Sequence, residues 1–202
     1  MINTIIFDFG DVFLNLKRNQ AKSAFDALGL NIADNEVQQL NFAFETGKIT
    51  EPAFLESLNA LIPNASVQSI RKAWNAVIGD FPLYRLEFLQ MLSQRFRLFL
   101  LTNTDSIHIS HFEEMAGISF ARDFYQCFEK VYYSFELGMR KPDKPIFEYL
   151  IRQHELSPKR TLFVDDRADN IDTAKSLGLN VWHLQPENED VVHLFEKKII
   201  AQ

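Results

Sequence analysis

Cysteine is almost absent from this sequence of 202 residues, which contains only Cys127. No disulfide can therefore form within the chain, which is typical of a reducing compartment, and we expect a cytoplasmic location. Long apolar runs are also missing, since no segment approaches the roughly 20 apolar residues that span a bilayer. The apolar start, residues 1–7, is too short for the core of a signal peptide and lacks a basic leader. We expect neither export nor a membrane partner.

Basic residues are outnumbered, with 21 Lys and Arg against 27 Asp and Glu, a formal net charge of -6, and no basic run longer than a pair. A nucleic-acid partner needs a concentrated cationic face, so this class is disfavoured. The seven Gly and seven Pro are scattered, which leaves no long flexible linker. The length suits one core carrying a modest insertion. The sequence leaves the oligomeric state open, and we take a monomer as the expectation.

Short apolar runs bounded by polar residues predict strands that are buried on both faces. Segments with helical spacing of apolar residues lie between them, at 83–94, 143–154 and 170–177. Alternating strands and helices predict an α/β fold with a doubly wound parallel sheet. The predicted strands are residues 4–7, 97–101, 130–133, 161–164 and 180–184.

A helical insertion interrupts this alternation after the first strand. Its four predicted helices are residues 18–29, 34–45, 50–62 and 66–78. An insertion at this place lies over the carboxyl end of the sheet, where open α/β sheets bind ligands, so we predict a lid. A second helical layer that only adds stability is the alternative. The predicted domains are a core of residues 1–15 and 83–202 and a helical domain of residues 16–82.

The first motif with chemical content follows the first predicted strand. Asp8 comes directly after that strand, where the ligand crevice of such a sheet opens. Gly10 allows a tight turn in which main-chain N–H groups point at an anion. A carboxylate in this setting can bind a metal ion or attack phosphorus to form an aspartyl phosphate. Taken alone, the same residue is also typical of a turn cap.

Two further motifs supply hydrogen-bond donors and a positive charge. Thr102 and Asn103 end the second predicted strand just before a helix start, where a hydroxyl, an amide and the free helix N–H groups can bind a phosphate. Lys141 follows the third strand and precedes Pro142. Its ammonium group would neutralise a phosphate oxygen and the carboxylate nucleophile together. Each motif alone also fits an ordinary turn or a solvated lysine.

Paired carboxylates end the fourth predicted strand, at Asp165 and Asp166. Two adjacent acids at the end of a buried strand repel each other unless a cation lies between them. Magnesium fits best, because it prefers oxygen ligands and bridges to phosphate. No His or Cys is near in the sequence, which disfavours zinc.

Taken together, these motifs resemble the haloacid dehalogenase-like (HAD) hydrolase superfamily along the whole chain, and the helical insertion lies where that family's C1 cap lies. Residues 7–12, 137–142 and 164–171 look closest to the branch with α-D-glucose-1-phosphate phosphatase and the phosphatase domain of epoxide hydrolases. The residues that carry the resemblance, in order along the chain, are Asp8, Thr102, Lys141, Asp165, Asp166 and Asn170.

The resemblance implies a Rossmann-like core and magnesium-dependent hydrolysis of a small phosphate monoester through a phospho-aspartate on Asp8. It implies that Lys141 also takes part in catalysis and that Asn170 supports the site. The implied magnesium ligands are Asp8, Asp165, Asp166 and the backbone carbonyl of Gly10, and the implied phosphate-binding residues are Thr102, Asn103 and Lys141.

One position departs from the usual pattern of the family. Most phosphatases of the superfamily carry a second Asp two residues after the nucleophile, where it protonates the leaving group. Here that residue is Gly10. General acid–base help contributes about 10²–10⁴-fold in rate, so its absence favours a leaving group that needs little protonation, such as the anomeric oxygen of a sugar. Asp11 is the nearest substitute, and we expect its side chain to point elsewhere.

Two other classes of function stay open. Carbon–halogen and carbon–phosphorus hydrolases of the superfamily also lack that acid, but dehalogenases need no magnesium. The phosphonate-cleaving branch uses a cap lysine, and the candidates Lys22, Lys48 and Lys72 lie on stretches predicted to be solvated. A binding or regulatory module without efficient turnover is the third class. The presence of Asp8 and Lys141 weighs against it.

The substrate's leaving group should meet the helical domain. We expect Phe13, Glu45 and Trp74 to contact it, with core packing as the alternative for Trp74. A lid of this size covers a small metabolite and excludes water around the phosphate, which favours sugar phosphates. The five histidines are predicted to lie away from the four motifs, and none is given a catalytic role.

Overall fold

A computed structural model describes residues 1–197 and 199. Its centre is a sheet of five strands in the order β3-β2-β1-β4-β5, and every neighbouring pair is parallel. Each predicted strand is confirmed to within one residue. The strands are β1 (Thr4–Phe7), β2 (Arg97–Thr102), β3 (Lys130–Tyr133), β4 (Thr161–Asp165) and β5 (Asn180–His183).

Alternation of side chains along the central strands explains why these strands are apolar throughout. In β1, Ile5 and Phe7 belong to one hydrophobic cluster, whereas Ile6 belongs to the cluster on the other face. In β4, Leu162 and Phe163 divide in the same way. Successive side chains of a strand point to opposite faces. Helices therefore cover both faces, which confirms the predicted doubly wound α/β fold.

Four helices between β1 and β2 form what we call the helical block. All four predicted helices are present, with ends up to three residues shorter than predicted. Thr50 and Ser66 begin two of them, and each side-chain oxygen accepts a hydrogen bond from a backbone N–H of the first turn. The helices are α1 (Arg18–Ala27), α2 (Asn35–Glu45), α3 (Glu51–Leu61) and α4 (Val67–Asn75).

The helical block has its own hydrophobic cluster. Phe25, Phe44, Phe54 and Ile70 are buried in it, and Ile107 joins them from outside the block. The Phe44 and Phe54 rings stack with centroids 4.4 Å apart. The block is therefore packed around its own apolar centre.

The remaining helices pack on the sheet. Those predicted at 83–94, 143–154 and 170–177 are confirmed, whereas α7 and α8 are additional to the prediction. None of the helices in the described part of the chain is both long and apolar enough to cross a membrane. These helices are α5 (Leu83–Ser93), α6 (Ser106–Ala116), α7 (Ile118–Tyr125), α8 (Ser134–Leu137), α9 (Lys144–Gln153) and α10 (Ala168–Ser176), with 3₁₀ turns at Pro158–Arg160 and Val191–Lys197.

Two chain segments, residues 15–17 and 77–80, connect the helical block to the sheet, and we call them the crossing ribbon. The N–H of Lys17 donates to the carbonyl of Val77 at 2.7 Å, and the N–H of Gly79 donates to the carbonyl of Asn15 at 2.9 Å. A Cβ atom on Gly79 would lie 2.3 Å from the Asn15 oxygen, so only glycine permits this approach. The two crossings therefore run side by side as one hydrogen-bonded unit.

Candidate active site

The four sequence motifs meet at the carboxyl edge of the sheet, because parallel strands end on the same side. Lys141 lies at their centre and is 1% exposed. Its Nζ atom is 2.9 Å from Oδ1 of Asp8 and 2.7 Å from Oδ2 of Asp165. A lysine is almost never fully buried unless it is paired. Two carboxylates compensate the ammonium group here, which brings the first, third and fourth motifs into direct contact.

Both carboxylate oxygens of Asp165 accept hydrogen bonds from other residues of the chain. The Asn170 side-chain amide donates to both of its carboxylate oxygens at 2.9 Å, and the N–H of Arg167 donates to Oδ1 at 2.8 Å. Lys141 occupies Oδ2. Asp165 therefore orients Lys141, and Asn170 orients Asp165.

Asp8, Asp165 and Asp166 offer carboxylate oxygens within 4.8 Å of one another. An all-oxygen donor set of this kind suits Mg²⁺ and does not suit zinc. The pKa of Asp8 is raised to about 7, because burial, together with the charge of Asp165, outweighs the lowering effect of Lys141. Burial and Asp165 also raise the pKa of Asp166, while Arg18 lowers it. The acids repel one another despite the lysine, so the residues present fit a divalent cation.

The turn after β1 gives Gly10 and Asp11 different surroundings. A Cβ atom on Gly10 would lie 2.8 Å from Cδ1 of Leu16, so that leucine fills the space where a side chain would begin. Asp11 adopts a positive φ of 54°, accepts a hydrogen bond from the N–H of Leu16 at 2.9 Å and pairs with Arg18. Its carboxylate is thus engaged by the chain, and Asp11 is not among the residues that line the cavity described below.

Thr102 and Asn103 end β2 beside this centre. Both line the cavity described below, and Thr102 is buried. The Asn103 side chain donates to the carbonyl of Lys141 at 2.8 Å and accepts from the Lys141 N–H at 2.9 Å. Both polar ends of the Asn103 amide are therefore engaged with the backbone of Lys141, which fixes the start of that side chain.

A cavity of about 480 Å³ lies between the helical block and the carboxyl edge of the sheet. Asp8, Lys141 and Asp166 line its inner end, and the helical block contributes the opposite wall. Glu45 and Trp74 line this wall, and their contact with a substrate stays a prediction. A space of this size between a buried lysine and a helical wall accommodates a small organic molecule.

Phe13 does not reach the cavity, so the prediction of its contact with substrate is wrong. The chain turns back after β1, with the N–H of Phe13 donating to the carbonyl of Phe9 at 2.9 Å. The Phe13 side chain is 0% exposed and packs against Phe7 and Phe124, with ring centroids 5.1 Å and 5.9 Å away. The turn directs this ring into the core beneath the sheet edge.

Trp74 joins the helical block to α6 through Asp105 and His108. The indole N–H donates to Oδ2 of Asp105 at 3.0 Å, and the same oxygen lies 2.9 Å from Nδ1 of His108. Nε2 of His108 is 3.1 Å from the Trp74 carbonyl, and the two rings stack at 5.3 Å. Trp74 also packs on Phe54, with centroids 4.8 Å apart. It therefore serves both the cavity wall and the block's apolar centre.

His108 was missed by the sequence analysis. It lines the cavity, and His183 lies 2.9 Å from the carbonyl of Asp166, so the prediction that all histidines avoid the motifs is wrong for these two. Burial alone would lower the pKa of His108, but Asp105 and the Trp74 carbonyl outweigh burial and raise it. An acceptor faces each ring nitrogen, and this geometry favours the imidazolium form of His108, which carries two N–H groups. The spacing of Asp105 and His108, one helical turn apart, is the signal that could have found the pair.

The fold and the site define an enzyme of the doubly wound α/β class, with a carboxylate and a buried lysine at the carboxyl edge of the sheet. The family model of the haloacid dehalogenase-like hydrolases matches residues 2–178. The chain belongs to this family of hydrolases.

Three similar proteins illustrate the relationship. A Bacteroides thetaiotaomicron protein named D-ribitol-5-phosphate phosphatase is 31% identical over 194 residues, which cover 93% of each chain. A HAD family enzyme of the same organism, in a crystal structure with magnesium and inorganic phosphate, is 30% identical with a TM-score of 0.86 and covers 96% of this chain and 100% of its own. A predicted HAD-like family hydrolase from Porphyromonas gingivalis is 27% identical with a TM-score of 0.88 and covers 100% of both chains.

Proposed function

We propose that this hydrolase is a magnesium-dependent phosphatase that cleaves small organic phosphate monoesters, with sugar and polyol phosphates as its substrate class. The observation that carries the proposal is the buried Lys141, which pairs with Asp8 and Asp165 beside the cavity between the sheet edge and the helical block. A fixed ammonium beside a carboxylate nucleophile suits a reaction that transfers a dianionic group.

Asp8 is the proposed nucleophile. One carboxylate oxygen attacks phosphorus in line with the ester bond, the P–O bond to the leaving group breaks, and the leaving oxygen takes a proton. Water then attacks phosphorus of the aspartyl phosphate, which releases inorganic phosphate and regenerates the carboxylate. Lys141 stabilises the ionised form of Asp8 and neutralises a phosphoryl oxygen.

The proposed magnesium ligands are Asp8, Asp166 and the backbone carbonyl of Gly10, with Asp165 beside them. When bound, Mg²⁺ supplies Lewis-acid stabilisation of charge on the phosphoryl oxygens. The contacts of Asp165 with Lys141 and Asn170 give it mainly a positioning role. Asp166 has no such set of partners and is the principal ligand candidate.

Thr102 is the proposed side-chain donor to the phosphoryl group. Because the Asn103 amide is engaged with Lys141, we change its expected role from binding phosphate to positioning that lysine. Residues 16–82 are the proposed cap domain, and residues 1–15 and 83–202 are the proposed core. The block's own hydrophobic cluster and the crossing ribbon support this division.

The substrate class rests on the cavity and on the named relative. Ribitol 5-phosphate is a primary ester of a polyol, so the proposal extends beyond the anomeric sugar phosphates expected from Gly10. The phosphonate alternative needs a lysine of the helical block at the cavity. Lys22, Lys48 and Lys72 are not among the residues that line it. The three clustered carboxylates disfavour a metal-free dehalogenase, because the single buried ammonium of Lys141 pairs with only two of them.

The proposed function is tested by phosphate release from D-ribitol 5-phosphate, glucose 1-phosphate, glucose 6-phosphate and an aryl phosphate, each with magnesium and with excess chelator. We expect release that stops with chelator and returns on adding Mg²⁺. Folded protein that releases phosphate from none of these esters would contradict the proposal. Release that persists in chelator would contradict the magnesium requirement, and halide release from a 2-haloacid would support the dehalogenase class.

A further inference from the structure

Glu45 is a buried carboxylate, and one of its oxygens accepts no hydrogen bond from the part of the chain that the structure describes. It is the last residue of α2, is 8% exposed and lines the cavity. Its Oε1 atom is fully buried and has no hydrogen-bond partner among the described residues. A buried carboxylate oxygen without a donor is costly, and such atoms in native proteins call for an explanation.

The nearest cation does not satisfy this oxygen. Nε of Arg140 lies 3.4 Å from Oε1 of Glu45, but its hydrogen is directed to the carbonyl of Lys141 at 3.2 Å. The guanidinium also lies over the ring of Phe42, 5.2 Å from the centroid. Arg140 therefore balances the charge of Glu45 without donating to it. Burial raises the pKa of Glu45, Arg140 lowers it, and Asp105 raises it further.

The position of Glu45 places it near the phosphoryl end of the cavity. Its ion-pair partner, Arg140, directly precedes Lys141 in the chain. The end of α2 also packs closely on α8, for a Cβ atom on Gly47 would lie 2.2 Å from the carbonyl oxygen of Phe135. Glu45 is thus fixed where the helical block meets the phosphate side of the site.

Two more polar residues of α2 share this wall. Gln38 and Asn41 precede Glu45 by seven and four residues, so all three lie along one face of the helix, and all three line the cavity. The neighbouring apolar residues Val37 and Phe44 belong to the block's own cluster. A stripe of amides and a carboxylate opposite a phosphate site suits a chain of hydroxyl groups.

We propose that Glu45 is a specificity-determining residue that accepts a hydrogen bond from a substrate hydroxyl close to the phosphoester. A neutral donor fits better than an ammonium group, because Arg140 already balances the charge. The same carboxylate repels substrates that carry a carboxylate at that place. This inference rests on the proposed phosphatase function, which it deepens by naming the hydroxylated class of leaving group.

A matched pair of substrates tests the inference. D-ribitol 5-phosphate and n-pentyl phosphate are both primary esters with five carbons, but only the first carries hydroxyl groups. We expect the wild-type chain to prefer ribitol phosphate in kcat/KM. Glu45→Met removes the acceptor at similar length and should lower kcat/KM for ribitol phosphate by about 10- to 100-fold, mainly through KM. It should leave kcat/KM for pentyl phosphate within about twofold.

A second variant tests whether the negative charge of Glu45 repels a substrate carboxylate. Glu45→Gln should raise kcat/KM for 3-phosphoglycerate, whose carboxylate the wild-type residue repels. Glu36→Gln is the matched control, because it removes the same charge from an exposed position of α2. We expect this control to leave the kinetics with all three substrates unchanged.

Several outcomes would overturn the inference. Equal losses on ribitol phosphate and pentyl phosphate in Glu45→Met would mean that Glu45 supports the reaction or the fold and does not recognise hydroxyls. Unchanged kinetics with ribitol phosphate, or a wild-type chain without preference for it, would show that no such contact forms. Failure of the folded wild-type chain on ribitol, pentyl and aryl phosphates alike would instead contradict the proposed phosphatase function.

Discussion

Nζ of Lys141 lies 2.9 Å from Oδ1 of Asp8, and both side chains are buried at the carboxyl edge of the sheet. A buried ion pair adds little net stability compared with well-packed apolar residues, because each charge loses its hydration. Removing one partner is different, since the other charge is then left buried and unpaired. Lys141 compensates two carboxylates, Asp8 and Asp165, so its loss affects both stability and chemistry.

Lys141→Met should lower the free energy of unfolding by about 3–5 kcal/mol in metal-free buffer, as expected when a buried charge pair is broken. Phosphate release should fall by at least about 10²-fold, since the charge that stabilises the transferring group is lost. Urea unfolding and phosphate release measure the two effects. Lys144→Met, at an exposed position of α9, is the control. An unfolding free energy within about 1 kcal/mol of wild type would show that the pair is not needed to compensate burial.

Asp8→Asn should reduce phosphate release by more than about 10³-fold, because the amide cannot act as the nucleophile. The variant should stay folded with Tm no lower than wild type. Burial raises the pKa of Asp8 to about 7, so the folded state disfavours the charge that the substitution removes. Asp172→Asn, at an exposed site on α10, is the matched control. Turnover at the wild-type rate in Asp8→Asn would exclude the aspartyl phosphate.

The absence of an acid at position 10 predicts that kcat depends steeply on the pKa of the leaving group. No acid stands at position 10, and the Asp11 carboxylate is engaged by Leu16 and Arg18. Along a series of aryl and alkyl phosphates, we expect kcat to fall by about 10²–10⁴-fold as the leaving-group pKa rises, which is the range that general acid catalysis supplies. Phosphate release at saturating substrate measures this dependence. A flat series would reveal another proton donor in the cavity.

His108→Gln should destabilise the protein more at pH 6 than at pH 9. Asp105 and the Trp74 carbonyl outweigh burial and raise the pKa of His108 in the folded state. The stability that His108 contributes is therefore complete below the ordinary histidine pKa, and it is lost as the pH rises through the pKa of His108 in the folded protein. The pKa of Asp105 is lowered by His108 despite burial, so Asp105 titrates below this window. We expect His108→Gln to lower the free energy of unfolding by about 1–2 kcal/mol at pH 6.

Thermal unfolding at the two pH values measures this effect, and His111→Gln removes an imidazole from the same helix as a control. A larger loss at pH 9 than at pH 6 would mean that His108 is neutral in the folded protein.

Trp74→Phe should also lower the free energy of unfolding, because the hydrogen bond from the indole N–H to Asp105 is lost while the packing on Phe54 is largely kept.

Much of the fold follows from local sequence. Apolar runs such as 161–164 are strands because both faces of the sheet are covered, and the pattern alone carries that information. The convergence of Asp8, Thr102 and Asp165 follows from a single geometric fact, that parallel strands end at one edge. These residues could be placed together without knowing any side-chain contact.

Contacts between distant segments could not be predicted in this way. The Asn103 amide is engaged by the backbone of Lys141, 38 residues later in the chain, so its role changes with tertiary structure. Trp74 and Asp105 are 31 residues apart, and no periodicity links them. Phe13 was misplaced because its direction depends on the turn that begins at Phe9, and composition cannot fix the direction of a turn.

The crossing ribbon makes the chain modular. Because Asn15 and Gly79 are hydrogen-bonded neighbours, the helical block leaves and re-enters the rest of the chain at one point. Relative to the sheet, the helical block is one long loop whose two ends lie side by side. The entropic cost of closing such a loop grows only slowly with its length. A helical block of another size or shape could be attached to the sheet through the same crossing ribbon. We therefore expect that the helical block could be exchanged as one unit while Asp8 and Lys141 keep their geometry.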